Sequence, residues 1–400
     1  MSNSSNQQNL SNQRVPDLVR DSQLTTRFLA DGWTQHTVHR VSGRSRHRQL
    51  ARIEETWYRQ RELGRGGFGR VWLEESGPNN PESGSNPPES GSRSATGRLR
   101  AVKEIRKTPS LRVFYSRELE AMAKFSHERY VHCFVRFYGW YESETTVFIA
   151  MEYLKHGDLE NHMGRPFSEA HAKVIASQLV DGLGYMHDNG FAHRDLKPQN
   201  IFVYHPGPDW WVKIGDFGIT KRAEEGTALR TDAGTKDYKA PEVRFIVIDS
   251  TSSSPSPSKA FSYTFAVDMW ALGELLFRLM AQRPVFPNED DLYNYITYRQ
   301  PFPVTTLKGT GAGRDCRGFV ARCMAADPED RLTASEASEH RWVQVSRLPP
   351  PPSPSPSPSP SPSPSPPPSS SHSSPVRSRS VRPRTRSSFA IISLGQGHQR

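Results

Sequence analysis

The sequence predicts an α+β protein of two lobes, a strand-rich lobe followed by a helix-rich lobe, between two disordered ends. Short apolar runs alternate with turn residues up to Met151, a pattern typical of strands. From Ser168 onward the apolar residues recur at helical spacing. Both ends of the chain are rich in polar residues or proline, and such segments bury too little apolar surface to offset their chain entropy.

The first lobe is predicted to contain several strands and one helix. Each strand is a short apolar run between turn residues, and the runs are Val71–Leu73, Leu99–Ile105, Phe134–Tyr138 and Val147–Met151. The helix is predicted near Leu111–Lys124.

The second lobe is predicted to open with an amphipathic helix. Ser168 is its expected cap and Gly190 its expected end. Four apolar residues fall on one face of this helix: Ile175, Leu179, Leu183 and Met186.

Composition divides the chain into one folding region and two flanks. Residues 1–54 are predicted to be a disordered basic segment, and residues 346–400 a disordered Ser-Pro and Arg-Ser tail. The folded domain is predicted to span residues 55–345. Low-complexity runs near 76–93 and 249–258 are expected to be loop insertions, because lengthening a surface loop costs little free energy.

The net charge of +10 is carried by the flanks. Residues 1–53 contribute +5 and residues 346–400 contribute +7, which leaves −2 for the residues between them. A nucleic-acid-binding fold needs a basic surface of its own. We therefore expect no nucleic-acid partner for the folded domain.

Cysteine content and hydropathy indicate a soluble protein of a reducing compartment. Cys133, Cys316 and Cys323 are too few for a disulfide framework and lack metal-ligand spacing. No apolar run reaches the roughly 18 residues that a membrane-spanning helix needs. We expect a cytoplasmic protein without a membrane partner, with the nucleus as an alternative location.

A glycine-rich string lies before the predicted strand Val71–Leu73. Glycines at this spacing let backbone N–H groups approach phosphates. A dinucleotide site would require a helix directly after the last glycine, and a plain glycine-rich turn is the other alternative. A second strand follows instead, which favours a flap over ATP. The string is Gly64, Arg65, Gly66, Gly67, Phe68 and Gly69, followed by Arg70 and Val71.

Charged residues at two further points are suited to phosphoryl transfer. Lys103 lies within an apolar strand, and Glu118 on the following helix is its expected partner, with Glu120 as the rival. In His193–Asn200, Asp195 can accept a hydroxyl proton, Lys197 can neutralise a phosphoryl group and Asn200 can bind a metal ion. Lone residues of this string could be a helix cap or a turn, but those roles do not explain the whole string.

Asp216 begins the tripeptide Asp216-Phe217-Gly218, directly after the predicted strand Trp211–Ile214. Its carboxylate is of the kind that Mg²⁺ prefers. The tripeptide alone is a weak signal, but its place one hairpin after Asn200 makes it specific.

In this order the motifs resemble the eukaryotic protein kinase family, over nearly all of residues 55–345. The resemblance implies a bilobal protein kinase fold, ATP and Mg²⁺ as cofactors, and transfer of the γ-phosphoryl group to protein substrates in signalling. Lys197 and Thr235 are similar to residues of the serine/threonine class. The resemblance therefore implies an active serine/threonine protein kinase.

The resemblance also implies roles for individual residues. Catalytic roles fall to Asp195, Lys197, Lys103 and Glu118, and metal binding to Asn200 and Asp216. Besides the glycine-rich string and Lys103, the ATP site would include Val71, Ala101, Met151, Glu152, Leu154, Asp158 and Phe202. The stacked residues that join the lobes would be Met122, Phe137, His193 and Phe217. Structural roles would fall to Asp268 and to an ion pair between Glu242 and Arg331.

Regulation is predicted at Thr231, eleven residues before Glu242. A phosphate there adds about −1.5 to −2 charges, which Arg194 and Lys221 would bind. Thr227 is the alternative site. Phe114 occupies the helix position from which many family members supply a further cation.

Two other functions compete with catalysis. A pseudokinase scaffold would lack Lys103, Asp195 or Asp216, and all three are present. The Ser-Pro repeats of Ser353–Pro366 favour polyproline II and could bind SH3 or WW domains or attract proline-directed kinases. The Arg-Ser segment after them could contact RNA or act as a nuclear address, although a solvated spacer explains the tail as well.

Overall fold

A seven-stranded antiparallel sheet forms the strand-rich lobe of the computed structural model, which describes residues 17–42, 49–66, 69–77, 97–108, 118–217, 221–222, 236–244 and 257–344. Its strands are β1 (Thr25–Phe28), β2 (Trp33–Ser42), β3 (Gln49–Gly66), β4 (Gly69–Ser76), β5 (Leu99–Arg106), β6 (Phe137–Glu142) and β7 (Thr146–Glu152). Their order is β1-β2-β3-β4-β5-β7-β6.

Strand β5 lies between β4 and β7 in this sheet. Lys103 of β5 is opposite Val71 on one side and Ile149 on the other. Consecutive residues of a strand point to opposite faces. Arg100, Ala101, Val102 and Lys103 are all buried, so both faces of β5 are covered.

The prediction that residues 1–54 are disordered is wrong for residues 17–42 and 49–54. Residues 17–21 form a short helix (α1), and β1, β2 and the start of β3 follow. Composition predicts disorder because a polar segment has little apolar surface to bury. Here His36 and Glu55 are buried, and each has a charged partner, Arg100 for His36 and Arg98 for Glu55. Buried polar groups are stable where such partners satisfy them.

Helix α2 (118–125) packs against the sheet. Its buried residues Leu119, Met122 and Phe125 join the main core with Ile105 of β5. The first part of the predicted helix Leu111–Lys124 lies outside the described residues.

Helix α3 (Glu169–Asp188) confirms the predicted opening of the helix-rich lobe. The Ser168 side chain accepts a hydrogen bond from the backbone N–H of His171, which satisfies one of the free donors at the helix start. The helix ends at Asp188, and Gly190 follows with a φ of +80°. The predicted apolar face is buried: Ile175, Leu179, Leu183 and Met186.

Shorter elements and further helices complete the helix-rich lobe. The strands are β8 (Phe191–Ala192), β9 (Ile201–His205), β10 (Trp211–Ile214) and β11 (Lys221–Arg222), paired as β9 with β10 and β8 with β11. The helices are α4 (Pro241–Arg244), α5 (Pro257–Ala281), α6 (Glu289–Ile296), α7 (Val304–Gly309), α8 (Arg314–Cys323), α9 (Ala334–Glu339) and α10 (Arg341–Gln344). Within the described ranges, none of the helices has the length and hydropathy needed to cross a membrane.

The two predicted insertions differ slightly from the structure at their borders. Ser76 is still the last residue of β4, and Pro257 and Ser258 already belong to α5. The remainder of both insertions, residues 78–93 and 249–256, lies outside the described residues, as do residues 346–400.

Candidate active site

Three charged side chains meet where the two lobes face each other. The ammonium group of Lys103 on β5 donates to Glu118 Oε1 of α2 at 2.6 Å and to Asp216 Oδ1 at 2.8 Å. The Lys103 and Glu118 side chains are only 9% and 3% exposed, whereas that of Asp216 is 39% exposed. The lysine therefore pairs with the glutamate that the sequence predicted, and also with the first residue of the Asp-Phe-Gly tripeptide.

The charges of this cluster are strongly coupled. Burial by itself lowers the pKa of Lys103, but the carboxylates of Asp216 and Glu118 outweigh burial and raise it. Burial raises the pKa of Glu118, and the second carboxylate, Asp216, adds to that rise against the opposing effect of Lys103. The Lys103 ammonium group thus pairs with two carboxylates, which keep it protonated.

Asp195, Lys197 and Asn200 lie together at the end of β8. Lys197 Nζ is 2.7 Å from Asp195 Oδ2. The side-chain amide of Asn200 donates to the backbone carbonyl of Asp195 at 2.8 Å and to Asp195 Oδ2 at 3.0 Å. The Asp195 carboxylate is therefore held in one orientation by a cation and an amide.

Asp268 of α5 holds the loop that contains Asp195 through two backbone hydrogen bonds. Its carboxylate accepts hydrogen bonds from the backbone N–H groups of His193 at 2.8 Å and Arg194 at 2.7 Å. Burial alone would raise the pKa of Asp268, but hydrogen bonding and charge from His187 and the Arg194 N–H hold it below its usual range. Arg194 has a φ of +68°, an uncommon backbone conformation for a residue with a side chain, and the carboxylate stabilises it.

The residues that were expected to join the lobes are all buried. The His193 and Phe217 rings are 5.8 Å apart, and Met122 and Phe137 belong to the same core as Phe217. His193 Nε2 lies 3.0 Å from the carbonyl oxygen of Gly215, to which it donates. This contact connects the Asp195 loop with the segment that carries Asp216.

The described part of the glycine-rich string closes β3, at Gly64, Arg65 and Gly66, and opens β4, at Gly69. Gly69 has a φ of +148°, and a Cβ there would lie 1.9 Å from the carbonyl oxygen of Glu104, so no larger residue fits. Added Cβ atoms at Gly64 and Gly66 would meet no atom within 4 Å, which leaves open space above the strands. Gly67 and Phe68 lie outside the described residues.

The residues predicted to surround adenine come from both lobes. Ala101 of β5 is opposite Met151 of β7, and Val71 of β4 is opposite Lys103. Leu154 is buried just after β7. From the helix-rich lobe, Phe202 of β9 forms a bridge with Asp158, whose Oδ1 accepts the backbone N–H of Asn161 at 3.1 Å.

Lys213 is a buried neighbour of the site that sequence reasoning missed. Its ammonium group lies 2.7 Å from Glu152 Oε2 and 3.0 Å from Oε1, and its side chain is 3% exposed. The Glu152 side chain therefore pairs with Lys213. The signal was a lysine within the apolar run Trp211–Ile214, which is buried only when it has an anionic partner.

The predicted structural ion pair is present. Arg331 donates to Glu242 through two N–H groups, at 2.6 Å and 2.8 Å, a bidentate geometry. Its guanidinium also lies 4.9 Å from the ring centre of Trp270. The pair connects α4 with the segment before α9.

Several predicted site residues cannot be placed. Thr227, Thr231, Thr235, Phe114 and Gly218 lie outside the described residues. Lys221 is described by its backbone alone, in β11 opposite Ala192.

The arrangement fits a magnesium nucleotide. A glycine turn with open space above it, a charged lysine and the oxygen ligands available from Asp216 and Asn200 lie along the boundary between the lobes. Mg²⁺ prefers oxygen ligands, and a lysine and backbone N–H groups bind phosphates.

Comparisons with known proteins agree with this geometry. The protein kinase domain family model matches residues 89–343. The serine/threonine-protein kinase RAD53 of Saccharomyces cerevisiae is 34% identical over 63% of this chain. Calcium/calmodulin-dependent protein kinase type 1 of Caenorhabditis elegans is 28% identical over 73% of this chain. The matches cover 31% of the yeast protein and 76% of the nematode protein.

Among solved structures, that of Rad53 residues 1–466 in complex with AMP-PNP is similar, with a TM-score of 0.53 and 28% identity. The match covers 72% of this chain and 65% of the Rad53 chain. The family model matches well over half of the chain and includes Lys103, Asp195 and Asp216. The chain belongs to the eukaryotic serine/threonine protein kinase family, whose members use ATP and Mg²⁺.

Proposed function

We propose that this chain is an active serine/threonine protein kinase, which transfers the γ-phosphoryl group of ATP to serine or threonine hydroxyls of other proteins in signalling. The observation that carries the proposal is the double contact of Lys103 with Glu118 and Asp216. These side chains come from β5, from α2 and from the helix-rich lobe. Their contact supports one arrangement of the residues that we propose bind phosphate and metal.

The nucleotide-binding residues divide into three groups by chemistry. Lys103, fixed by Glu118, binds phosphate oxygens as a positive charge, and Asp216 and Asn200 hold Mg²⁺, which when bound neutralises phosphate charge. The glycine-rich turn from Gly64 to Gly69 supplies backbone N–H groups. Adenine and ribose contact Val71, Ala101, Met151, Glu152, Leu154, Asp158 and Phe202.

Asp195 is the residue that accepts the proton of the substrate hydroxyl. Its carboxylate is oriented by Lys197 at 2.7 Å and Asn200 at 3.0 Å, so it is positioned before the substrate binds. Lys197 also supplies positive charge near the phosphoryl group that moves. Such preorganised charges account for much of the catalysis of phosphoryl transfer.

Activity is tested with the full chain, radiolabelled ATP, Mg²⁺ and a peptide library that contains serine, threonine and tyrosine acceptors. We expect incorporation into serine and threonine peptides and none in the Asp195→Asn variant. Incorporation only into tyrosine peptides would contradict the proposed specificity. ATP binding without transfer to any peptide would favour a pseudokinase.

The proposal includes a regulatory phosphate on Thr231. Arg194, next to Asp195, and Lys221 in β11 are the cations proposed to bind it, with Thr227 as the alternative acceptor. A bound phosphate would order the segment between Asp216 and Glu242 through charge-assisted hydrogen bonds.

Location and tail partners complete the proposal. The chain acts in the cytoplasm or the nucleus, and the Ser-Pro repeats of Ser353–Pro366 bind SH3-type or WW-type domains. Support comes from the sequence alone, since such repeats favour the polyproline II conformation. Binding of labelled SH3 and WW domains to the full chain and to a variant with these prolines replaced by alanine tests the partner proposal.

A further inference from the structure

Residues 17–42, here called the N-terminal clasp, close the sheet of the strand-rich lobe. β1 and β6 are the two outer strands, yet the chain just before β1 pairs with β6. The backbone N–H of Leu24 donates to the Trp140 carbonyl at 2.7 Å, and the Trp140 N–H donates to the Ser22 carbonyl at 3.2 Å. The indole N–H of Trp140 donates to the carbonyl of Val19 at 2.7 Å. The sheet therefore curls into a closed barrel.

Gly139 permits this close approach. It has a φ of +121°, and an added Cβ would lie 2.8 Å from the Ser22 carbonyl oxygen and 2.8 Å from Leu24 Cγ. Backbone and side chain of the clasp thus occupy the space that any larger residue would need. β6 is shaped to receive the clasp.

A polar network in the barrel joins the clasp to β5. Arg100 of β5 donates to Glu74 Oε2 at 2.9 Å and 2.7 Å, and to His36 Nε2 at 2.8 Å. His36 Nδ1 lies 2.8 Å from the Thr26 hydroxyl, which donates to the Leu24 carbonyl at 3.0 Å. Arg100, Glu74 and His36 are no more than 2% exposed. His36 must therefore be neutral to accept from Arg100.

Apolar contacts also join the clasp to β5. Leu24 packs against a small cluster of buried residues that is separate from the main core, made of Val102, Tyr141, Phe148 and Ala150. Val102 stands on the same face of β5 as Arg100, opposite to Lys103. The clasp therefore covers the face of β5 that the helix-rich lobe does not reach.

We propose that the N-terminal clasp is a positioning element for catalysis, which holds β5 so that Lys103 meets Glu118 and Asp216. The inference rests on the proposed kinase function. Lys103 is three residues from Arg100 on a strand buried on both faces. Loss of the clasp contacts would leave the Arg100 and Glu74 charges without their neutral partner and expose Val102 to water. β5 could then shift, and a misplacement of about 1 Å can cost about 10²-fold in rate.

The test uses the full chain with three substitutions on β2. His36→Leu removes the acceptor for Arg100. His36→Gln restores an amide oxygen for Arg100 and an N–H for Thr26. Gln35→Ala is the matched control, because Gln35 points to the other face of β2 and contacts the exposed Glu54. kcat and the KM for ATP are measured at a temperature where circular dichroism shows every variant folded.

We expect His36→Leu to lower kcat by about tenfold or more with a smaller change in the KM for ATP, since a positioned group acts on the chemical step. His36→Gln should recover most of the rate, and Gln35→Ala should match the wild type. Unchanged kcat in folded His36→Leu would overturn the proposal, even with a lowered melting temperature, because the clasp would then contribute stability alone.

Amide hydrogen exchange gives a readout that does not depend on activity. His36→Leu should speed exchange in β5 at Val102 and Lys103 while exchange in α3 stays at the wild-type rate. Equal acceleration in β5 and α3 would show global destabilisation and would also overturn the proposal. A wild-type chain without any phosphoryl transfer would contradict the kinase function, and the exchange pattern would still decide whether the clasp holds β5.

Discussion

Lys103 Nζ lies 2.8 Å from Asp216 Oδ1, and this contact links an inner strand of one lobe, β5, to the start of the Asp-Phe-Gly tripeptide of the other. The same ammonium group donates to Glu118 at 2.6 Å. The proposed phosphate-binding lysine and the proposed metal-binding aspartate are therefore positioned by each other.

Replacement of Lys103 by arginine should impair chemistry more than binding. The charge remains, but a planar guanidinium cannot occupy the point between Glu118 and Asp216 that the ammonium group fills. We expect kcat to fall by about 10²-fold, with a smaller change in the KM for ATP. Steady-state kinetics with varied ATP measures both. Lys107→Arg, just after the end of the same strand, is the control and should behave as the wild type.

Asp195→Asn and Asp216→Asn should each abolish transfer for different reasons. Asp195→Asn removes the proton acceptor, so ATP should still bind with Mg²⁺. Asp216→Asn removes a metal ligand, so the gain in ATP affinity that Mg²⁺ provides should shrink. Calorimetric ATP titrations with and without Mg²⁺ separate the two, and Asp209→Asn in the exposed hairpin is the control. Turnover near the family range of about 1 to 100 per second in either variant would refute the assignment.

Glu242→Gln should destabilise the fold without any direct effect on substrate. Arg331 is fully buried, so removal of its partner's charge leaves a buried cation without compensation. Breaking a buried pair in this way typically costs about 3–5 kcal/mol. Urea denaturation measures the change. Glu289→Gln breaks the exposed pair with Lys236 and should leave the transition midpoint almost unchanged.

Stability should fall as the pH drops below about 6.5 because of His36. Burial, followed by the charge of Arg100, lowers the pKa of His36 to about 2. Below pH about 6.5, the ordinary pKa of histidine, His36 is protonated in the unfolded chain but stays neutral in the folded chain. Stability is therefore lost as the pH falls below about 6.5. One such proton contributes at most about 1.4 kcal/mol per pH unit.

The groups that surround His36 on every side also favour a lowered pKa for its ring. Arg100 faces one ring nitrogen, Thr26 the other, and the Tyr141 ring lies 4.8 Å away. Glu74, which could favour a charged histidine, is already bonded to Arg100. Denaturation curves between pH 5 and 8 compare the wild type with His36→Gln. An equal slope in both proteins would show that His36 does not carry the effect.

Phosphorylation of Thr231 should raise activity. Mass spectrometry of the active enzyme should find phosphate on Thr231, and Thr231→Ala and Arg194→Ala should both reduce kcat. Thr227→Ala is the comparison and should have little effect. Full activity in the two former variants, with Thr231 unmodified, would leave a segment that is ordered without phosphate as the better account.

Local structure could be predicted from the sequence where one residue type has one physical role. The Ser168 cap and the apolar face of α3 follow from hydrogen bonding and helical period, and both are confirmed. The two-lobed fold class is confirmed as well. Lys103 and Glu118 are brought together as the family resemblance implies, while their catalytic roles stay predictions.

The N-terminal clasp was missed because composition was read as a measure of order. A polar residue such as His36 is stable inside the barrel only because it finds a partner, Arg100, on another strand, and pairing across strands is not visible in composition. Two local signals were available. Asp31-Gly32 is a dipeptide typical of hairpin turns, and both residues have a positive φ. Thr34, Thr37 and Val38 then favour a strand.

The length of β3 has a consequence for how the protein can be made. One end of this 18-residue strand pairs with the clasp and the other end forms the glycine-rich turn. The first methionine after Met1 is Met122, which lies beyond both Lys103 and Glu118. Translation that starts at an internal methionine therefore cannot yield a chain that lacks the clasp and keeps Lys103 and Glu118. A proteolytic cut ahead of β3 would separate the two.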